Sequence, residues 1–230
     1  MNTEGLLYTL VPLAALAIGA ITTTMAKPKP GVQSAIQHFA AGVVFAAAAA
    51  EILPDVMHGG SLVPIIIGSL AGIGAMLAIK ALDERIEGPV GLATATGVDL
   101  LVDGLVLGIS FVAGARQGIL LTIALTLEVL FLGLSLVGEF AQSMTRGKAI
   151  GATMLVGLAL PFGALFGGPI GTLPGPLQTG FYAFGLIALL YLVTEELLIE
   201  AHEGGKESPL VTSMFFLGFL AILVVDELMR

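Results

Sequence analysis

The sequence predicts an all-α fold, a polytopic integral membrane protein of eight transmembrane helices, and three observations carry that prediction. Hydrophobic residues fill 57% of the 230 positions and charged ones only 11%, with a mean hydropathy of +1.02. A soluble domain of this length needs a far more charged surface. Apolar runs of roughly 20 residues, the length that crosses a bilayer core, recur eight times. The connections between them are short and hold the helix breakers, so none has room for a soluble domain. Residues 1–230 read as a single transmembrane domain.

The first run, Leu6–Met25, follows Met1-Asn2-Thr3-Glu4-Gly5, a leader without a basic region. It is also longer than the core of a signal peptide, so it is expected to remain and span. Lys27-Pro28-Lys29-Pro30-Gly31 separates it from the second run, Ser34–Met57, and Gly59-Gly60 separates that from the third, Leu62–Leu82. Gly88-Pro89 introduces the fourth, Gly91–Ala113, and the fifth is Gln117–Phe140. Arg146-Gly147-Lys148 leads into the sixth, Ala149–Phe166, where Pro161 with nearby Gly163 marks an expected kink or hinge. The stretch from Gly171 through Pro176 precedes the seventh, Leu177–His202, and the eighth is Pro209–Leu228. The 31 glycines suit a bundle in which small residues let membrane helices approach closely.

Lys and Arg orient the bundle, because they concentrate on the cytoplasmic side. With the N-terminus outside, the inner connections hold Lys27, Lys29, Lys80, Arg85, Arg146, Lys148 and Lys206, and the outer side only Arg116 and Arg230. Both termini are therefore expected outside. The net charge of −8 argues against a nucleic-acid partner. The absence of Cys excludes disulfides, thiolate metal sites and cysteine nucleophiles. Apolar outer faces suit the lipid bilayer and a partner subunit equally, which leaves a homodimer open. The minimal loops point to a prokaryotic plasma membrane.

Several acids interrupt the apolar runs. Asp99 and Asp103 fall near the middle of the fourth helix, four residues apart and so on one face. Glu128 falls near the middle of the fifth at the same depth. Ionised carboxylates there cost several kcal/mol each on the lenient insertion scales, about 3 kcal/mol at a helix centre. No Lys, Arg or His occupies the middle of any span to neutralise them. Protonated acids gluing helices together are one reading; a cation or proton site is favoured. Toward the outer end of the second helix lie Glu51 and Asp55, flanking Pro54. Toward the inner end of the seventh lie Glu195, Glu196, Glu200 and His202, and His38 begins the second helix on the inner side. These extend a ladder of oxygen and imidazole groups through the membrane. Interfacial solvation is the reading preferred for His38, His58, Glu203, Asp226 and Glu227.

The stretch from Asp99 to Gly108, with Asp103-Gly104 inside it, resembles the fourth-helix motif of ZIP-family divalent metal transporters, roughly H-N-x-x-[DE]-G-x-x-x-G. The second helix, His38-Phe39-Ala40-Ala41-Gly42 through Glu51-Ile52-Leu53-Pro54, is similar to that family's second helix. Glu195 through Glu203 is similar to its E-L-x-P-E-A-H ending. The resemblance implies a 3+2+3 arrangement, with helices 1–3 and 6–8 as inverted repeats and helices 4 and 5 carrying the site near the midplane. The family's His falls on Asp99 and its Asn on Leu100. Its fifth-helix pattern, [HQ]-[DE]-x-P-[EH]-[GE], meets Glu128-Val129-Leu130-Phe131-Leu132-Gly133, which keeps only Glu128 as a ligand.

A two-metal centre is therefore excluded, and a single all-oxygen site of Asp99, Asp103 and Glu128 is expected. Carboxylate and water suit magnesium, calcium and manganese better than imidazole-preferring zinc, so manganese, ferrous iron and zinc with water ligands are all candidate substrates. The implied function is a carrier moving divalent metal toward the cytoplasm. Glu51 and Asp55 would act as ligands at the outer mouth, and Glu195, Glu196, Glu200 and His202 at the exit. No prosthetic group is implied; the metal is cargo. An enzyme is disfavoured: the two Asp residues share one helix, as those of an intramembrane aspartyl protease do not. The position that would hold Arg in an E-E-x-x-x-R protease motif after Glu195-Glu196 holds Glu200. The remaining alternative is a ZIP-like protein that moves another solute with protons or does not transport metal.

Overall fold

The computed structural model describes residues 3–25, 30–59, 61–83, 85–86, 88–203 and 208–229. Among them are eight helices long and apolar enough to cross a membrane: α1 (Gly5–Thr23), α2 (Gly31–His58), α3 (Leu62–Leu82), α4 (Pro89–Ala113), α5 (Ala115–Phe140), α6 (Arg146–Ile170), α7 (Gly175–His202) and α8 (Pro209–Leu228). No strand occurs among the described residues. Every predicted span has its helix, and the ends differ by a few residues. The breakers act as expected at α4, where Gly88 has φ 80°, a left-handed value suited to glycine, and Pro89 takes the first helical turn, which needs no N–H donor. Lys27, Pro28, Lys29, Gly60, Lys206 and Arg230 lie outside the described residues, as does the Glu203 side chain. Of the other basic residues, Lys80, Arg85, Arg146 and Lys148 belong to one end of the bundle and Arg116 to the other.

Four helix pairs build the bundle: α1 with α5, α4 with α6, α2 with α8, and α3 with α7. Glycines bring each pair together. A Cβ on Gly104 of α4 would lie 1.9 Å from the Leu160 carbonyl oxygen of α6, and one on Gly163 of α6 would lie 2.0 Å from that of Leu101. Gly42 of α2 and Gly218 of α8 face Phe215 and Phe39 in the same reciprocal way. Backbones this close give the van der Waals contact that holds helices together where lipid removes the hydrophobic drive. Exchanging helices 1–3 for 6–8 and 4 for 5 maps the pairing onto itself: α1·α5 becomes α6·α4, and α2·α8 becomes α7·α3.

The exchange also preserves what is inside and what is outside. The main apolar core draws on α2, α4, α5 and α7. The large exposed apolar side chains line α3 (Leu62, Ile67, Leu70), α8 (Leu210, Phe216, Leu228), α6 and α1. Each of α2 and α7 contains one π-helical turn, at Ala48–Ile52 and Leu192–Leu197, and each turn carries an acid of the predicted pathway: Glu51 in one, Glu195 and Glu196 in the other. Such turns widen the helix and concentrate at functional sites. In α2 the turn lies just before Pro54, which has no N–H to donate; α7 forms its turn without a proline.

Two expectations about helix ends need correction. The break in α6 falls at Leu158, between helical stretches Arg146–Gly157 and Ala159–Ile170, not at Pro161 itself. Pro161 lacks the N–H that would bond the Gly157 carbonyl four residues back, so the ladder opens one turn earlier. Helix α5 begins at Ala115, which takes Arg116 out of the connection and into the first turn of the span.

Candidate metal centre

Asp99 and Asp103 lie two residues either side of the middle of the 25-residue helix α4, and Glu128 is close to the middle of the 26-residue α5. All three are buried, and a carboxylate oxygen from each can be chosen so that the three lie within 4.8 Å of one another. The α4–α5 connection is only Gly114, so the two helices return past each other with the acids in register. Gly104, next to Asp103, lets α6 seat against the far side of α4. Among the described residues no ion pair reaches the trio, and one buried oxygen on Asp103 and one on Glu128 lack any hydrogen-bond partner. Asp103 and Glu128 are hydrogen-bonding neighbours through their other oxygens, and unpartnered buried oxygens are costly unless a positive group reaches them. Three carboxylates provide an incomplete oxygen shell, which waters or carbonyls can complete for a divalent cation.

The positions that depart from the family pattern come together in space. Leu100 and Val129 are buried with Leu16 and Leu160 in one apolar cluster, and Leu132 packs against it. These are the three positions at which the resemblance places ligands of a second metal. They form a continuous apolar block to which α1 and α6 contribute Leu16 and Leu160.

A cavity of about 550 Å³ opens toward the end of the bundle that carries Lys80 and Glu139, and its walls include Gln37, Thr96, Tyr191, Glu195, Glu196 and Glu200. Asp99 also lines it, so the vestibule reaches the carboxylate trio. On the opposite side Glu51 and Asp55 border a void of only about 10 Å³, with Ser110, Gln117 and Tyr182 around it. Among the described residues the vestibule is wide on the Lys80 side, and the space beside Glu51 and Asp55 is narrow.

The predicted pathway residues fall at both mouths. Lys80 pairs with Glu195 at 3.3 Å, both about half exposed. The Gln37 side-chain amide donates to Glu200 at 2.8 Å, and the Ser34 hydroxyl donates to the Ala201 carbonyl at 2.6 Å, tying α2 to the end of α7. His202 is exposed, and its ring lies 4.9 Å from that of His38. His38 is not interfacial: it is 3% exposed, with Nδ1 2.9 Å from the Ser34 carbonyl and Nε2 buried without a partner. At the other mouth Glu51 is buried and Asp55 half-buried with one unpartnered oxygen.

Asp226 also departs from the interfacial expectation. It is 6% exposed, forms an ion pair with Arg116, and has Glu51 as a hydrogen-bonding neighbour. Its helix end is covered by α5 and α2, which hydropathy does not reveal. His58 and Glu227 are exposed as expected. Gln37 and the pairing of Arg116 with Asp226 are not foreseen by the sequence reading, which names Arg116 and Asp226 only separately. A polar side chain inside an apolar run was the available signal for Gln37.

The chain matches no protein-family model. It is 34% identical over 86 residues to the zinc transporter GufA of Myxococcus xanthus, a match covering 37% of this chain and 34% of that protein. The aligned part thus spans about a third of the relative's length. Motif order along α2, α4 and α7 and this match point the same way: the chain is similar, over about a third of its length, to a zinc transporter, and its motifs resemble those of ZIP-family divalent metal transporters.

Proposed function

We propose that this protein is a carrier that moves divalent metal cations across a prokaryotic plasma membrane toward the cytoplasm, through one midplane site of Asp99, Asp103 and Glu128. The observation that carries the reading is three buried carboxylates with oxygens within 4.8 Å of one another, no ion pair reaching them among the described residues, and Asp99 lining an open vestibule. An ion entering the trio replaces mutual repulsion by attraction, and its affinity falls on acidification because the ligands must be deprotonated. The apolar block of Leu100, Val129 and Leu132 supports one ion rather than two. The open vestibule and the closed far side suit one state of an alternating-access cycle. The exchange-symmetric pairing supports the 3+2+3 inverted repeat in which such rocking or sliding occurs. With positive charge inside, the open end faces the cytoplasm and both termini face outward. Glu51 and Asp55 then receive the ion, and Glu195, Glu196, Glu200 and His202 release it.

Uptake by proteoliposomes of manganese, zinc, ferrous iron and cadmium across a pH series tests this, with Asp103→Asn as control. Saturable flux lost in the variant is the expected result. Folded protein that moves none of the four would leave a ZIP-like membrane protein with another solute or none.

A further inference from the structure

Arg116 and Asp226 belong to neither the trio nor the vestibule, yet they form an ion pair at the closed mouth. The Arg116 guanidinium contacts the Asp226 carboxylate and also donates to the Asp226 backbone carbonyl at 3.3 Å, so it grips the end of α8 twice. Asp226 is buried, and Glu51, also buried, hydrogen-bonds with it from the π-helical turn of α2. Glu51 in turn walls the void of about 10 Å³, a space for a single water at most. Gln117, the residue after Arg116, walls the same void. Helices α5 and α8 are not otherwise a packed pair, since α8 seats on α2 and α5 on α1. The ion pair therefore spans a seam that apolar packing leaves weak. The Asp226 end of the pair is buried while the Arg116 side chain is about a third exposed, so the pair adds little net stability and a competing charge can reach it, which suits a switch better than a strut.

We propose that Arg116 is a tethered cation that bolts the outer mouth shut by holding Asp226 and, beside it, Glu51, until an entering divalent cation competes for those carboxylates. The proposal rests on the carrier reading, and it makes Arg116 a residue that decides which cations open the outer side. A monovalent ion offers these acids no more charge than the guanidinium already there. A divalent ion offers twice as much and loses no chain entropy by leaving.

The chain contains no Cys, so a single introduced thiol is a clean reporter. Ser110→Cys places one in the wall of the closed void, and Thr96→Cys places one in the open vestibule. Both are reacted in proteoliposomes with a membrane-impermeant thiol reagent applied from either side. In the otherwise unaltered chain the Ser110→Cys thiol reacts slowly and the Thr96→Cys thiol quickly. Adding Arg116→Gln with Asp226→Asn, which removes both charges together, is expected to raise the Ser110→Cys rate about tenfold, a decade of shift in the open population, and to slow Thr96→Cys. Arg116→Lys retains the protection. A Ser110→Cys rate unchanged by the double substitution overturns the bolt, and so does a rise at both positions, which marks general loosening. The readout needs no metal flux: absent uptake with normal gating would defeat the carrier reading and leave the bolt standing.

Discussion

Asp103→Asn separates a cation site from structural glue, because the two assign opposite signs to its effect on stability. The three carboxylate oxygens lie within 4.8 Å of one another, so each ionised pair repels by at least about 3.5 kcal/mol at an effective dielectric constant of about 20. Fully ionised, all three pairs together would sum to about 10 kcal/mol or more, which protonation and relaxation reduce. Replacing Asp103 by Asn removes two of the three repulsions and keeps the shape. Metal-free protein should therefore be as stable as the parent or more so.

The metal response should move the other way. At one hundred times its Kd a ligand stabilises by about 2.7 kcal/mol, or about 5–10 °C of Tm for a chain of this size. Thermal unfolding in detergent or nanodiscs, with and without manganese, zinc or cadmium, measures both. The expected outcome is a parent shift of that order and a shift below about 2 °C in Asp103→Asn and in Glu128→Gln. A variant that loses more than about 2 kcal/mol without metal would mark the carboxyl as a structural hydrogen bonder. A variant that retains the full metal response would remove it from the site. Either result refutes the reasoning.

Other outcomes follow from single contacts. A Cβ on Gly104 would meet the Leu160 carbonyl oxygen, so Gly104→Ala should lower stability by about 1–3 kcal/mol, whereas Gly97→Ala, with its nearest atom 3.9 Å away, should be neutral; thermal unfolding compares them. Val129→Asp puts a carboxylate among Leu16, Leu100 and Leu160 and should cost about 2 kcal/mol or more. With Leu100→Asn and Leu132→Glu added, excess divalent metal should restore much of that loss, and elemental analysis should find a second ion. Lys80→Ala breaks a half-exposed pair with Glu195 and should change stability by under about 1 kcal/mol in the same unfolding assay.

Hydropathy and spacing are local properties of a chain, and what depends on them was legible without coordinates. The eight runs became eight helices because a membrane span must satisfy its backbone hydrogen bonds within itself, whatever its neighbours do. The depth of Asp99, Asp103 and Glu128 follows from counting residues along α4 and α5, whereas their convergence needed the one-residue Gly114 connection that the structure shows. The loss of the second set of ligands was visible as Leu100, Val129 and Leu132, one residue at a time.

Which helix faces which was decided only in three dimensions. The glycines announce close approach, but nothing near Gly104 names α6, and nothing near Gly42 names α8. For the same reason Asp226 and His38, near the ends of apolar runs, looked solvated until α5, α2 and α7 covered them. That Leu100, Val129 and Leu132 share one apolar block, that Gln37 holds Glu200, and that one mouth is open while the other is shut are likewise products of packing between distant segments. The sequence by itself determined the spans, their count and the depth of the acids, because these arise within single helices. Partners, burial at helix ends and the state of the pathway arise between helices, and only the tertiary structure decided them.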